Sequence, residues 1–338
     1  MPRLRRADCS DAGIRRTRHG RGFRYTDEAG DRLTDEGALD RIRRLAIPPA
    51  WREVWICPDP QGHIQATGID DAGRKQYLYH DEWRAKQDRR KYEQMLELAD
   101  QLPSLRRTVK RRLGARGFTR DRVLAGAVRM LDLGFFRIGS EQYAAENESY
   151  GLATLRKSHV RSENGAVIFD YPAKSSQRRV QEIADPQLVK LVRGLKRRQG
   201  GGHELLAYRD GRRWVDVRSD EVNAYLKELA GHEYTAKDFR TWNATVLAAV
   251  LVALRVEDGT SKTARKRVVS EVVKEVAGVL GNTPAVCRRA YIDPRVFDRF
   301  DSGSTIEPAL RDGISTELDE LRESDRERIE RAVVELLS

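Results

Sequence analysis

The strongest constraint on this chain is a change in hydrophobic period near residue 88. Before it, apolar and polar residues alternate in short runs broken by proline, glycine and aspartate, the pattern of strands joined by turns. After it, apolar residues recur every three to four positions over long stretches, a spacing that only a helix can bury on one face. The change predicts an α+β protein with a small antiparallel β-rich N-terminal domain over residues 1–88. A larger, mostly α-helical domain containing a small β-meander follows over residues 89–338. A length of 338 residues suits two such domains.

In the first domain, residues 22–25 and 31–34 flank a turn at 28–30, and Thr34 is placed to cap a short helix through Leu45, ended by Ile47-Pro48-Pro49. Three more strands are expected at 53–57, 63–68 and 75–80. Alternation in the last puts Lys75, Tyr77 and Tyr79 on one face and Gln76, Leu78 and His80 on the other. One cation and two phenols suit phosphates and base edges, and equally an ordinary half-buried sheet face.

In the second domain, helices are expected at 90–101, interrupted by Pro103, and at 121–133. Strands near Val160 and at 166–171 meet across Glu163-Asn164-Gly165, a good hairpin turn. The next turn, residues 172–176, sets Lys174 at a hairpin tip before a strand at 177–181. Helices follow at 186–197, 219–229, 237–256 and 261–280, with Gly200-Gly201-Gly202 read as a flexible loop. Gly281 is a fitting helix stop, and Thr283-Pro284 reads as the cap and first position of a new helix running to Tyr291. Tyr291 lies seven residues past Pro284, two turns on, so Asn282 and Tyr291 stand at the two ends of a short helix where they can face one small site.

Charge narrows the partner. Residues 301–338 hold 5 basic and 11 acidic side chains, so the overall +11 conceals a body of +17. Arg106, Arg107, Lys110, Arg111, Arg112, Arg116, Arg120 and Arg122 fall within 17 positions that contain one acid, Asp121. The natural polyanion for such a surface is a nucleic-acid backbone, although a solvated basic face is the plainer reading. The longest strongly apolar run, residues 246–254, is far short of the roughly 20 residues a membrane span needs. With no secretory signal visible and an odd, unspaced set of Cys9, Cys57 and Cys287, a reducing cytoplasmic location is expected. The six histidines include no pair three or four apart, and the glycine triplet lacks the Lys-Ser/Thr of a phosphate loop. Neither a metal nor a nucleotide cofactor is expected. The acidic tail from Thr316 reads as a closing amphipathic helix with Leu318, Leu321, Ile329, Val333 and Leu336.

Several short motifs recur in a meaningful order: Ile47-Pro48-Pro49-Ala50-Trp51, residues 73–80, Phe136-Arg137-Ile138-Gly139, Tyr143, Glu146-Asn147 and residues 150–155. Lys237-Asp238-Phe239-Arg240-Thr241, Gly281-Asn282-Thr283-Pro284 and Ala290-Tyr291-Ile292 complete the set. Together they resemble the type IB DNA topoisomerase family in its compact poxvirus-like and bacterial form, from about residue 22 to 295. The resemblance implies catalytic roles for Arg137, Lys174, Arg240, Asn282 and the nucleophile Tyr291. It implies DNA contacts at Gln76, Tyr77, Tyr79, Tyr143 and Lys237, and a monomer clamping double-stranded DNA. The family typically has histidine at the fourth catalytic position. Asparagine there donates a neutral hydrogen bond but takes up no proton near pH 7.

The chemistry explains the residue types. A tyrosine oxygen attacks phosphorus in line, the 5′ oxygen leaves, and one phosphodiester replaces another, so resealing needs no ATP. Two arginines carry the charge on the equatorial oxygens, and a lysine protonates the leaving alkoxide. Two rivals remain at this stage. A tyrosine recombinase or integrase resembles the same catalytic order, but typically has histidine where this chain has Lys237 and a helical N-terminal domain. A non-enzymatic basic DNA-binding protein is the other.

Overall fold

The structure is a computed structural model that describes residues 3–174, 177–231, 233–255, 261–310 and 323–338, the side chain of Tyr143 excepted. The chain divides into two compact units, residues 1–91 and 92–338.

The first unit holds strands β1 (Ile14–His19) and β2 (Gly22–Thr26), helix α1 (Glu36–Arg44), then β3 (Arg52–Ile56), β4 (Ile64–Ile69) and β5 (Lys75–Tyr79). They form one antiparallel sheet in the order β2-β1-β3-β4-β5. The expected pairing of 22–25 with 31–34 is replaced by β1 with β2, and only a bridge from Thr26 to Arg32 survives beyond them. The two-residue turn at Gly20, whose φ of +57° is free of a Cβ penalty, decides this. β1 escapes notice in the sequence because it is rich in arginine. One of those arginines, Arg16, is buried and donates to the carbonyls of Ile47, Pro48 and Trp51, pinning the proline turn. The helix cap is Asp35, one residue after Thr34, and its carboxylate accepts the Ala38 amide at 2.6 Å. Ile14, Ile42, Ile47, Val54, Ile56 and Ala66 form the core of this unit.

The second unit is mostly helical. Helix α2 (Asp81–Leu113) enters it from the first, followed by α3 (Arg120–Leu133) and α4 (Glu141–Asn147). A three-stranded meander comes next, β6 (Val160–Glu163), β7 (Ala166–Ala173) and β8 (Gln177–Ile183), in sequential order. Its first turn uses Asn164 and Gly165, both at positive φ, as the hairpin reading expects. Then come α5 (Pro186–Arg197), the hairpin β9 (Ala207–Asp210) and β10 (Arg213–Asp216), α6 (Ser219–Ala230), α7 (Ala236–Ala253) and α8 (Lys262–Leu280). The chain continues through α9 (Pro284–Ala290), α10 (Arg295–Asp301), α11 (Glu307–Leu310) and α12 (Glu323–Leu337). Helix α7 is buried at every residue except Lys237, so the longest apolar run is the core of a globular unit. Among the described residues no helix is long and apolar enough to cross a membrane.

The second unit also departs from the sequence reading. Pro103 does not interrupt its helix: α2 runs through it, with Pro103 on the exposed side. A proline inside a helix costs about 3 kcal/mol, offset here by buried Leu98, Leu102, Leu105, Val109 and Leu113 on both sides of it. The hairpin β9–β10 went unread, although Asp210-Gly211 carries its turn signal. Most consequential, the run of eight cations at 106–122 is only partly a basic surface. Arg106 and Arg122 are buried, Arg122 donating to the carbonyls of Leu113 and Gly117, while Arg112 and Arg120 pair with Asp121, Glu221 and Glu228 around Tyr225.

Arg106 anchors a buried ion network. Its guanidinium bonds Asp132 at the end of α3 (2.7 Å) and Glu330 of α12 (2.6 Å), while Arg129 and Arg326 also reach Asp132. The described part of the tail is thereby locked to the unit, with Ile329, Val333 and Leu337 buried and Leu336 half-buried. Leu318 and Leu321 lie outside the described residues. Burial raises the Asp132 carboxyl's pKa, but Arg106, Arg326 and Arg129 together outweigh it and hold the group well below the usual carboxylate range. Its contribution to stability is therefore complete above the unfolded value of about 4 and is lost as pH falls through the lower folded value. Glu330→Ala, which leaves Arg106, Arg129 and Arg326 to share the Asp132 carboxylate, is expected to cost about 3 kcal/mol in urea unfolding at pH 7. Unfolding midpoints of the unaltered chain should fall as pH drops below about 4, and more steeply than those of Asp132→Asn.

Candidate active site

The site is assembled around the C-terminal end of helix α8. The helix stops because Gly281 adopts a left-handed φ of +61°, and the Asn282 amide turns back to the Ala277 carbonyl at 2.9 Å. The last carbonyls of any helix lack intrahelical donors and carry the negative end of its dipole. Here three arginines take four of them in succession. Arg179 of β8 donates to Gly278 (2.9 Å) and Val279, Arg240 of α7 to Leu280, and Arg137 to Gly281 (2.7 Å).

Arg137 follows a short loop past α3 whose shape is fixed from several sides. Asn243 of α7 donates its amide to the carbonyls of Leu131, Asp132 and Gly134, each at 3.2 Å. Phe136 is buried edge-on against Phe169. Beyond it, Gly139 at φ +88° lies where a Cβ would meet the Gly151 backbone, and the Leu152 amide closes onto the Arg137 carbonyl at 2.8 Å. From this position Arg137 also donates to Asn282 Oδ1 at 2.5 Å. That bond orients the amide, so the Asn282 Nδ2 donor, buried and without a partner among the described residues, points elsewhere.

Arg240 is 4% exposed, bonded to the carbonyls of Phe135 and Leu280, with its guanidinium carbon 5.2 Å from the centre of the Tyr291 ring. Burial, then the neighbouring Arg137 charge, pushes its pKa down to about 10, with the Tyr291 hydroxyl opposing, so it remains a cation at neutral pH. Its Nε is a second buried donor with no partner among the described residues. Tyr291 caps α9, which Thr283 and Pro284 start as expected, and its amide bonds the Cys287 carbonyl at 3.0 Å. Thr245 donates to the Tyr291 carbonyl at 3.3 Å and accepts the Asp293 amide at 3.2 Å, so the backbone around the phenol is tied to the central helix.

Four of the five expected catalytic residues, Arg137, Arg240, Asn282 and Tyr291, thus meet in one cluster. Lys174 stands exposed at the tip of β7–β8 and makes no hydrogen bond to the other four. Among the expected DNA contacts, Lys237 is exposed one turn before Arg240 on α7, and Tyr143 lies within α4, its side chain outside the described residues. In the first unit Tyr77 and Tyr79 are exposed and stacked, ring centres 6.0 Å apart, with Lys75 near the Tyr77 ring. Gln76 faces the other side, where its amide donates to Asp70 at 2.8 Å. Sequence reasoning missed Arg179, Gln181 and Asn243. Period-two alternation on β8 was the available signal for the first two, since 177, 179 and 181 share a face.

A half-buried phenol beneath a buried arginine, with a second arginine and an oriented amide beside it, is an arrangement that can hold an oxyanion against a tyrosine hydroxyl. Comparison with known proteins identifies the family. The chain matches the family described as Eukaryotic DNA topoisomerase I, catalytic core, over residues 80–303, and that described as Bacterial DNA topoisomerase IB, N-terminal domain, over residues 22–70. It is 30% identical over 287 residues to DNA topoisomerase 1B of Acanthamoeba polyphaga mimivirus, 83% of this chain and 85% of that one. DNA topoisomerase 1B of vaccinia virus (strain Copenhagen) is 20% identical over 286 residues, 78% of this chain and 82% of that one. DNA topoisomerase 1 alpha of Arabidopsis thaliana is 26% identical over 203 residues, 60% of this chain but 21% of the plant protein. The chain belongs to the type IB DNA topoisomerase family, a family of isomerases.

Gly281 leaves little room for a side chain. A Cβ there would sit 3.0 Å from Gln177 Oε1 and 3.3 Å from Arg179 Cδ, on a backbone in the left-handed region. Gly281→Ala is expected to lower stability by about 1–2 kcal/mol and to slow DNA cleavage, read by thermal unfolding and a single-turnover cleavage assay.

Proposed function

We propose that this chain relaxes supercoiled duplex DNA by cutting one strand through Tyr291 and resealing it, acting as a monomer on DNA in the cytoplasm. The observation that carries the reading is the Arg240–Tyr291–Arg137–Asn282 cluster, in which two buried donors, Arg240 Nε and Asn282 Nδ2, have no acceptor among the described residues. Buried donors are ordinarily satisfied, and a phosphate oxygen supplies what these lack. Three free cysteines, two of them buried, accord with a reducing compartment.

In the proposed reaction the Tyr291 oxygen bonds to phosphorus as the bond from phosphorus to the 5′ oxygen breaks. The phenol proton passes to water, and Lys174 gives a proton to the departing 5′ oxygen. The guanidinium forks of Arg137 and Arg240 carry the charge on the non-bridging oxygens, in a pocket where little water screens them. Asn282 adds one neutral hydrogen bond. The 3′-phosphotyrosyl link preserves the phosphodiester energy, so attack by the freed 5′ hydroxyl reseals the strand after the duplex end has turned. Exposed Lys75, Tyr77 and Tyr79 of the first unit, with Gln76, Tyr143 and Lys237, are proposed as DNA contacts.

Relaxation of a supercoiled plasmid without ATP and with a chelator present tests the reading. The unaltered chain should relax the plasmid and leave a denaturant-resistant protein–DNA adduct, and Tyr291→Phe should do neither. An adduct that persists in Tyr291→Phe refutes the assignment of the nucleophile.

A further inference from the structure

Strand β8 turns every second side chain toward the cluster. Gln177 Oε1 lies against Gly281, and Arg179 holds the Gly278 and Val279 carbonyls. Gln181 Oε1 accepts the Phe135 amide at 2.8 Å, while its Nε2 donates to the Tyr171 hydroxyl at 3.0 Å. The intervening residues Arg178 and Val180 are exposed, Arg178 pairing with Asp170. The face of β8 therefore joins the hairpin that carries Lys174 to the helix end that leads into Asn282 and Tyr291.

Of these contacts the one made by Arg179 is the most costly to build. Its guanidinium is half-buried and lies close enough to Arg137 and Arg240 to be repelled by both. A cation placed beside two others is not what packing alone selects, and a neutral donor would also satisfy helix carbonyls. What the arginine fork adds is two parallel bonds to successive carbonyls, which fix both the distance and the angle between strand and helix. Lys174 itself has no partner among the described residues to hold it, and it lies five residues from this clamp.

We propose that Arg179 is a positioning residue for strand cleavage: by clamping β8 to the last turn of α8 it holds Lys174 at the leaving 5′ oxygen. This rests on the reading of Lys174 as the proton donor. In that step the ammonium of Lys174 gives its proton to the 5′ oxygen as the phosphorus–oxygen bond breaks, and becomes a neutral amine.

The test measures single-turnover cleavage of a duplex carrying a site mapped with the unaltered enzyme, made with either the ordinary 5′ oxygen or a bridging 5′ sulfur, whose thiolate leaves without a proton. Lys174→Ala should cleave the oxygen substrate at least about a hundredfold slower and the sulfur substrate at close to the unaltered rate. Arg179→Ala should slow the oxygen substrate by at least about tenfold, again with recovery on sulfur, and Arg179→Lys should fall between. The double variant should be no slower than Lys174→Ala alone, as expected when two residues act through one step. Thermal unfolding establishes that each variant is folded, and Arg179→Lys carries the comparison if Arg179→Ala is not. If Lys174→Ala is not rescued by sulfur, the reading of Lys174 fails and the proposal with it. If Lys174→Ala is rescued but Arg179→Ala is equally slow on both substrates, or slow on neither, the positioning role is overturned and the Lys174 reading stands.

Discussion

The end of helix α8 is the interaction on which the candidate site depends. Four consecutive carbonyls, from Gly278 to Gly281, receive three guanidinium groups from three separate elements. Guanidinium groups repel one another at close range, and the pKa of Arg240 is depressed by burial and by its neighbours. The negative end of the helix and its unpaired carbonyls offset that repulsion. A concentrated positive site can therefore be assembled before any phosphate arrives, and the backbone that anchors it continues directly into Asn282 and the helix that ends at Tyr291.

Behind this first layer, neutral and ionic contacts hold the elements that carry the arginines. Asn243 lies one turn beyond Arg240 on α7 and caps the carbonyls of Leu131, Asp132 and Gly134, so one helix supplies an arginine and supports the loop of another. Arg326 of α12 adds a bond to the Asp132 carbonyl at 2.5 Å. Helix α12 lies beyond residue 303, where the match to the topoisomerase core ends, yet its Glu330 and Arg326 join the buried network under that loop. Two of its acidic residues thus have a structural account: Glu330 and Glu323 pair with Arg106 and Lys110, cations that composition alone assigns to a DNA-binding face.

Much of the fold was legible in order and type. The helices at 186–197 and 262–280, the Asn164-Gly165 turn and the Gly281-Thr283-Pro284 junction follow local rules of capping, turn chemistry and period, which act within a few residues. The errors arose where distant contacts override local preference. Helix α2 continues through Pro103 because buried residues on either side outweigh one lost bond. Strand β1, Arg-rich and therefore unlike a core strand, pairs because Arg16 finds three carbonyls in a loop more than thirty positions away.

The sequence by itself determined the two-part α+β plan and the family, and named five candidate catalytic residues of which the structure brings four together, because these reside in periodicity and in short motifs that keep their order along the chain. Only the tertiary structure decided which of the many arginines are free to act. Arg106 and Arg122 look in the sequence like members of a DNA-binding patch, yet both are buried as internal struts. Arg179 looks like one more surface cation beside Arg178, yet it closes the site. A charge is visible in a sequence; whether it meets a carboxylate, a helix end or water depends on which elements fold against it.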